Sequence, residues 1–328
     1  MPVLEYIEAI RLAMKEEMER DERVFVLGED VGVKGGVFGT TRELQRLFGE
    51  WRVLDTPLSE SAIAGVAIGA AMAGLRPIAE MQYSDFIFPA TNQIISEAAK
   101  IRYRSNNDWD CPVVIRAPIG GGVFGGPYHS QCVESVFFGT PGLKIVAPAT
   151  SYDAKGLLKA AVRDPDPVLY FEHKKCYRLI SGEVPDKDYI VPIGKANVLR
   201  EGSDITVIGY SMPLHFAMQA AEELSREEGI EAHILDLRTL QPLDREAILK
   251  AAARTGKVLI IHEDNKTGGV GAEVAAIIAE ELLYDLDAPI RRLCGPDVPA
   301  MAINPPAEKR FLLNKEKVKA AMLELARY

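Results

Sequence analysis

The stretch LDTPLSESAIAGVAIGAAMAGLRPIAEMQYSDF, Leu54 to Phe86, decides the reading of this chain. It opens on a Thr-Pro turn, passes Ser59-Glu60-Ser61, and then holds little except Ala, Gly, Ile and Val until Gly74. PIAEM, residues 77–81, follows with the character of a buried strand. Small residues at Ala62, Ala64, Gly65, Ala67, Gly69, Ala70, Ala71 and Ala73 leave the expected helix almost without bulk. Each glycine inside a helix costs about 1 kcal/mol relative to alanine. Very close backbone packing on several sides would offset that cost. The helix is therefore expected at the centre of the fold or at a tight subunit interface. The apolar run is shorter than the roughly 20 residues that span a bilayer.

Glu60 falls in the first turn of this helix. One reading is a carboxylate that complements the helix dipole, worth about 0.3–1 kcal/mol. The other starts from the absence of any further charge before Arg76. A carboxylate at the mouth of an apolar helix is desolvated and its pKa rises. It can then share a proton with a ligand nitrogen, and such groups mark candidate sites.

Composition sets the frame. With 328 residues, 48% hydrophobic and 26% charged, the chain is long enough for two globular domains. A net charge of −9 argues against a nucleic-acid partner. Met1 is followed by Pro2, Glu5 and Glu8 rather than by a basic segment and an apolar core, so no secretory leader or membrane anchor is expected. Cys111, Cys132, Cys176 and Cys294 are scattered, and His129, His173, His215, His233 and His262 show no metal spacing. Neither a disulfide framework nor a zinc site is expected, and a reducing, cytoplasmic setting fits.

Apolar periodicity predicts a helix over residues 4–20 and a short strand, VFVLG, at 24–28. Glu29 stands at that strand's end, ahead of a flexible glycine loop, GVKGGVFG (32–39). In open α/β sheets ligands bind outside the carboxyl ends of strands. Glu29 and its glycines therefore either line a site or form a mobile surface loop. Gln82-Tyr83-Ser84-Asp85-Phe86 again follows a strand. A long helix is expected over 88–104, a strand over PVVIRAP (112–118), and another over LKIVAPA (143–149). Ser151 or Asp153 is expected to cap a helix over 154–162, and VLYFE (168–172) reads as a strand.

Gly120, Gly122 and Gly125 form a literal G-x-G-x-x-G after a strand. The dinucleotide reading fails, because that fingerprint opens a helix and Gly126-Pro127 interrupts it. The loop instead delivers His129, either to solvent or beside a ligand. Residues 178–203 are rich in Gly, Pro, Asp and Lys without periodicity and read as a linker. Beyond them strands and helices alternate regularly to the end of the chain. That pattern predicts parallel sheets and two α/β domains in series.

The ordered set LGEDVG (27–32), GGVF (35–38), DTPLSES (55–61), RPIAEMQYSDF (76–86), RYRS (102–105), YHSQ (128–131), PGLKIVAP (141–148), DAKGLLKAA (153–161), RDPDPV (163–168), EVPDKDYIVPIGKA (183–196) and LDLRTLQPLD (235–244) spans nearly the whole chain. It resembles the beta subunits of the decarboxylating first component of 2-oxo acid dehydrogenase complexes. The resemblance implies a doubly wound α/β pyrimidine-binding (transketolase-like) domain at 1–185 and a linker at 186–202. A transketolase C-terminal-like α/β domain follows at 203–328. It implies thiamine diphosphate shared with an alpha subunit in an α2β2 heterotetramer. The alpha subunit would hold magnesium, since no Gly-Asp-Gly element occurs in this chain.

By the same resemblance Glu60 hydrogen-bonds the aminopyrimidine ring of the cofactor and favours its imino tautomer. Phe86 stacks on that ring, with Leu58, Gln82 and Glu29 beside it. His129 stands near the reacting carbon and assists acyl transfer to the lipoyl group of the acyltransferase component. A structural potassium is implied at the backbone carbonyls of Ala161 and Val162 with Asp164 and Asp166; an ordinary Asp-Pro turn is the alternative. Asp85 and the Leu-Cys-Gly-Pro-Asp run at 293–297 are closer to members acting on branched-chain 2-oxo acids, 3-methyl-2-oxobutanoate in particular. Pyruvate and acetoin remain alternative substrates, and a non-catalytic interaction subunit is the alternative of another class. Pro127-Tyr128 stand where some relatives carry a second histidine.

Overall fold

The structure, a computed structural model, describes Met1–Tyr328. It divides into two compact units. The first comprises residues 1–119 and 137–193, the second 120–136 and 194–328. The break at 193–194 lies within the expected linker, 186–202, and a short excursion, 120–136, leaves the first unit for the second. The expected linker is not all irregular: Asn197–Arg200 is a strand of the second unit's sheet.

The first unit is built on six parallel strands. In chain order they are β1 (Val24–Gly28), β2 (Val53–Asp55), β3 (Arg76–Glu80), β4 (Val114–Ile119), β5 (Lys144–Val146) and β6 (Val168–His173). Their spatial order is β5-β6-β4-β3-β1-β2. All five residues of β1 and all six of β4 and of β6 are buried, as expected for strands covered on both faces. The chain steps outward from β1 to β2, then crosses back over β1 to β3. The order of connection reverses at β1, and open parallel sheets bind ligands where that happens.

Helix α1 (Tyr6–Arg20) buries Tyr6, Ile7, Ile10, Met14 and Met18, the apolar face of the expected amphipathic helix. Helix α2 (Glu60–Met72) connects β2 to β3. Ile63, Ala64, Ala67, Ile68 and Ala71 form its buried stripe. Gly74, at φ 94°, ends it in the left-handed conformation favoured after a helix. The opposite face is not covered by this chain. Ala62, Gly65, Val66, Gly69 and Met72 are exposed. A Cβ added at Gly65 would meet only Gln93 Cγ at 4.0 Å, and one at Gly69 nothing within 4 Å. This chain's own packing thus does not require either glycine.

Two local expectations need correction. Helix α3 (Ser151–Arg163) is capped by Thr150, whose side chain accepts from the Asp153 backbone N–H, rather than by Ser151 or Asp153. Residues 88–104 are not one regular helix. A 3-10 turn at Phe88–Ala90 leads to a π-helical turn at Asn92–Glu97, a second 3-10 turn at Ala98–Lys100, and an α-helical turn at Ile101–Arg104.

The second unit has a five-stranded sheet. Its strands are β7 (Asn197–Arg200), β8 (Ile205–Gly209), β9 (Ala232–Asp236), β10 (Val258–Asn265) and β11 (Arg291–Gly295), in the order β11-β10-β8-β9-β7. Only β7 runs antiparallel, against β9. Helices α4 (Met212–Glu228), α5 (Arg245–Thr255), α6 (Val270–Leu282), α7 (Pro305–Phe311) and α8 (Lys315–Ala326) belong to this unit. No helix is long and apolar enough to cross a membrane.

Candidate active site

Three adjacent strands, β2-β1-β3, deliver the first unit's candidate residues from their carboxyl ends. Glu29 follows β1, Leu58 and Glu60 follow β2, and Gln82 and Phe86 follow β3. Glu29, Glu60, Gln82 and Phe86 are half-buried, while Leu58 is 71% exposed. Burial pushes the Glu29 carboxyl above its usual range, and the charges of Asp30 and Glu60 push the same way. The two carboxylates therefore feel one another at the switch point of the sheet. Repulsion of this kind favours the protonated form of Glu29.

The glycine loop after β1 is tied down at several points. Gly32 N–H donates to Asp55 Oδ1 at 2.6 Å, and Gly36 N–H to the Asp30 carbonyl at 2.8 Å. Thr41 Oγ1 donates to the Val31 carbonyl at 2.7 Å, and Thr40 Oγ1 to Glu80 Oε2 at 2.9 Å. Gly36 has to be glycine, since a Cβ there would stand 2.9 Å from Glu80 Oε1. Phe38 in this loop meets Tyr83 edge to face, with centroids 5.4 Å apart. Tyr83 meets Phe86 the same way at 5.5 Å, and Lys174 Nζ lies 5.6 Å from the Tyr83 centroid. Edge-to-face contacts of this sort add about 0.5–1.5 kcal/mol each and fix ring orientation. Phe86 is thereby held by an aromatic row.

A buried ion triad underlies these strand ends. Arg116 donates to Glu172 through Nε at 2.6 Å and through a terminal nitrogen at 2.8 Å. Its other terminal nitrogen reaches Glu80 Oε2 at 2.6 Å. Tyr177 Oη donates to Glu172 at 2.7 Å. Burial raises the Glu172 carboxyl above its usual range although Arg116 pulls it down. Sequence reading missed this triad. Its signal was a charge in each of two apolar strands, Glu80 in PIAEM and Arg116 in PVVIRAP. A fully buried charge demands a partner.

His129 lies in the second unit, half-buried, just after the 3-10 turn Gly126–Tyr128. Gly120 N–H donates to the Gln131 carbonyl at 3.0 Å, which closes the loop at its base. Gln131 Nε2 donates to the Pro127 carbonyl at 3.0 Å inside it. Glu263 and Glu308, which the sequence did not single out, accept from the backbone of Gly121 and Gly122.

The residues expected to hold potassium are already occupied by the chain's own cations. Lys144 Nζ donates to both Asp164 oxygens, at 2.7 and 2.8 Å, and lies 3.2 Å from Asp166 Oδ2. Arg102 takes the other Asp166 oxygen. Arg76 donates to the Val162 carbonyl at 2.7 Å and the Asp164 carbonyl at 3.3 Å, and the Ala161 carbonyl accepts from the Asp164 N–H. Ala161, Val162, Asp164 and Asp166 are thus tied into one cluster with Lys144, Arg76 and Arg102. No group of three or more His, Cys, Asp or Glu side chains is arranged to hold a metal. No disulfide joins any of the four cysteines.

Residues 3–179 match the transketolase pyrimidine binding domain, and residues 194–318 the transketolase C-terminal domain. The chain is 69% identical over 328 residues to the 2-oxoisovalerate dehydrogenase subunit beta of Bacillus subtilis (strain 168), covering 100% of both. It is 44% identical over 297 residues to the pyruvate dehydrogenase E1 component subunit beta of the same organism, covering 90% of this chain and 91% of that one. A solved split-gene transketolase, an inactive beta4 tetramer, shares the fold at a TM-score of 0.77 and 24% identity, over 98% of each chain. With both transketolase domains in series and relatives matched along their whole length, the chain belongs to the beta subunits of the first component of 2-oxo acid dehydrogenases.

Proposed function

We propose that this chain is the catalytic beta subunit of a branched-chain 2-oxo acid dehydrogenase. It acts on 3-methyl-2-oxobutanoate with an alpha subunit in an α2β2 heterotetramer and passes the acyl group to a lipoyl acyltransferase component. The observation that supports the reading is that Glu29, Glu60, Gln82 and Phe86 all follow the carboxyl ends of three adjacent strands, β1, β2 and β3. That set suits a flat nitrogenous ring. The donor chemistry fits the aminopyrimidine of thiamine diphosphate: Glu60 supplies a shareable proton, Gln82 a neutral hydrogen-bonding amide, and Phe86 an apolar face. When bound, thiamine diphosphate supplies a nucleophilic carbon and an electron sink for the loss of carbon dioxide.

Glu60 holds its proton toward the ring nitrogen, with Glu29 beside it. Phe86 orients the ring and excludes water from one side of it. His129 moves a proton during acyl transfer to the lipoyl sulfur. The chain has no Gly-Asp-Gly element, so the diphosphate and magnesium fall to the alpha subunit. The exposed small-residue face of α2, with Val66 57% and Met72 40% exposed beside its glycines, supports a partner chain packed at close range.

The test is Glu60→Gln in the complex co-expressed with its alpha subunit. Decarboxylation of 3-methyl-2-oxobutanoate is expected to fall about 10²–10⁴-fold, the range for a positioned acid–base group. The particle should remain intact by size-exclusion chromatography. Wild-type turnover in the variant refutes the role of Glu60. Preference of the wild-type complex for pyruvate moves the substrate and keeps the site. An intact particle without turnover of either acid favours the interaction-subunit reading.

A further inference from the structure

Residues 120–136 carry His129 but pack in the second unit, away from the strand that precedes them in sequence. Three backbone N–H groups of this segment end on three carboxylates of that unit. Gly121 donates to Glu263 Oε1 at 2.6 Å, Gly122 to Glu308 Oε1 at 2.8 Å, and Ser135 to Asp264 Oδ2 at 2.9 Å. Glu263 and Asp264 lie near the end of β10, and Glu308 lies in α7. Glu308 is 0% exposed and Asp264 2%. Burying a carboxylate is costly unless it is hydrogen-bonded, and bonds to an ionised acceptor are about twice as strong as neutral ones. A carboxylate spent on a glycine N–H is therefore a fixed anchor.

The glycines are shaped to receive these anchors. A Cβ at Gly121 would stand 3.0 Å from Leu312 Cδ2 and 3.3 Å from Glu308 Oε1. Gly122 has φ 83°, a left-handed conformation that glycine adopts without strain. The anchored turn 120–122 forms one side of the loop base, and the Gly120–Gln131 bond joins it to the other side, two residues beyond His129. Within the loop, a Cβ at Gly125 would stand 2.6 Å from His129 Cβ, so the histidine lies folded over the turn. The path from carboxylate to imidazole runs along the loop backbone, which the Gln131–Pro127 bond ties internally.

We propose that Glu263 and Glu308 are positioning residues for His129: they grip the Gly121-Gly122 turn and so set the imidazole for acyl transfer. This rests on the role of His129 given above. The test uses the assembled complex with its acyltransferase component. Two rates are measured, acyl transfer to the lipoyl group and decarboxylation coupled to an artificial dye acceptor, and their ratio is the readout. Glu308→Leu and Glu263→Leu remove the acceptor. Glu308→Gln and Glu263→Gln keep an acceptor oxygen.

The ratio is expected to fall about 10–100-fold in the leucine variants, as for a catalytic group displaced by about 1 Å. It should recover in the glutamine variants. Amide exchange in the peptide spanning residues 119–131 should speed up in the leucine variants alone. A wild-type ratio in both leucine variants, with His129→Gln impaired in transfer, overturns the inference. So does an equal fall of both rates, which marks a purely structural role. A wild-type ratio in His129→Gln itself overturns the role of His129 and the inference with it. If Glu308→Leu does not assemble, Glu263→Leu decides alone, since Glu263 is only half-buried.

Discussion

Arg116→Met removes the cation of the triad and keeps roughly its apolar volume. Arg116 and Glu80 side chains are 1% and 5% exposed, and Glu172 0%. The variant loses three charge-assisted bonds of 2.6, 2.6 and 2.8 Å and strands two carboxylates out of reach of water. Breaking one side of a buried ion pair costs about 3–5 kcal/mol. For a unit of this size each kcal/mol moves the melting midpoint by about 2–4 °C, so a fall of about 6–20 °C is expected near pH 8. The pH dependence gives the sharper test. Burial already holds Glu172 above its usual range with Arg116 opposing, and loss of Arg116 removes that opposition. A carboxyl whose folded pKa lies above its unfolded value binds protons preferentially in the fold. The deficit is therefore fully present above the folded pKa and shrinks as pH falls through it toward the ordinary carboxylate range. Thermal melts followed by near-ultraviolet circular dichroism at several pH values measure both effects. An unchanged midpoint near pH 8, or a deficit independent of pH, refutes the argument.

Other outcomes follow from the same geometry. His262 is fully buried, and desolvation lowers its pKa from 6.5 to about 4. The folded state then binds fewer protons than the unfolded one, so up to about 3 kcal/mol of stability is lost as pH falls from about 6.5 through about 4. Urea titrations of wild type and His262→Gln should show that slope only in wild type. The isolated chain should bind thiamine diphosphate weakly, since the diphosphate and magnesium ligands are missing; tight binding by calorimetry counts against a shared site. Lys144, Arg76 and Arg102 occupy the acceptors around Asp164 and Asp166, so replacing potassium by choline should leave the melting midpoint unchanged. A potassium-specific rise of several degrees would contradict that.

The sequence revealed the order of elements and the strand ends that carry the site, because both depend on local pattern. Apolar runs such as VFVLG and VLYFE have one stable place, a sheet covered on both faces. Glu29, Gln82 and Phe86 each follow such a run and Glu60 follows the short strand β2, so the parallel sheet places all four at the carboxyl ends of adjacent strands. What escaped was non-local. Glu80, Arg116 and Glu172 lie far apart in sequence and become partners only through strand order. Glu263 and Glu308 meet Gly121 and Gly122 across more than a hundred residues. Nor does the RDPDPV motif reveal that Lys144 and Arg76 fold onto it. The small helix α2 was read correctly as unusual, yet its glycines face outward rather than into this chain.

The excursion at 120–136 bears on how this polypeptide can be divided. The backbone passes between the two units three times, at 119–120, 136–137 and 193–194. A truncation near residue 193 therefore does not yield two modules. The amino-terminal fragment would keep the glycine loop but lose every carboxylate that grips it, and the carboxy-terminal fragment would keep Glu263, Asp264 and Glu308 with nothing to hold. Swapping either half between related enzymes meets the same obstacle. Residues 120–136 would have to travel with the distal half, as an inserted cassette, for a chimaera to retain its histidine in register.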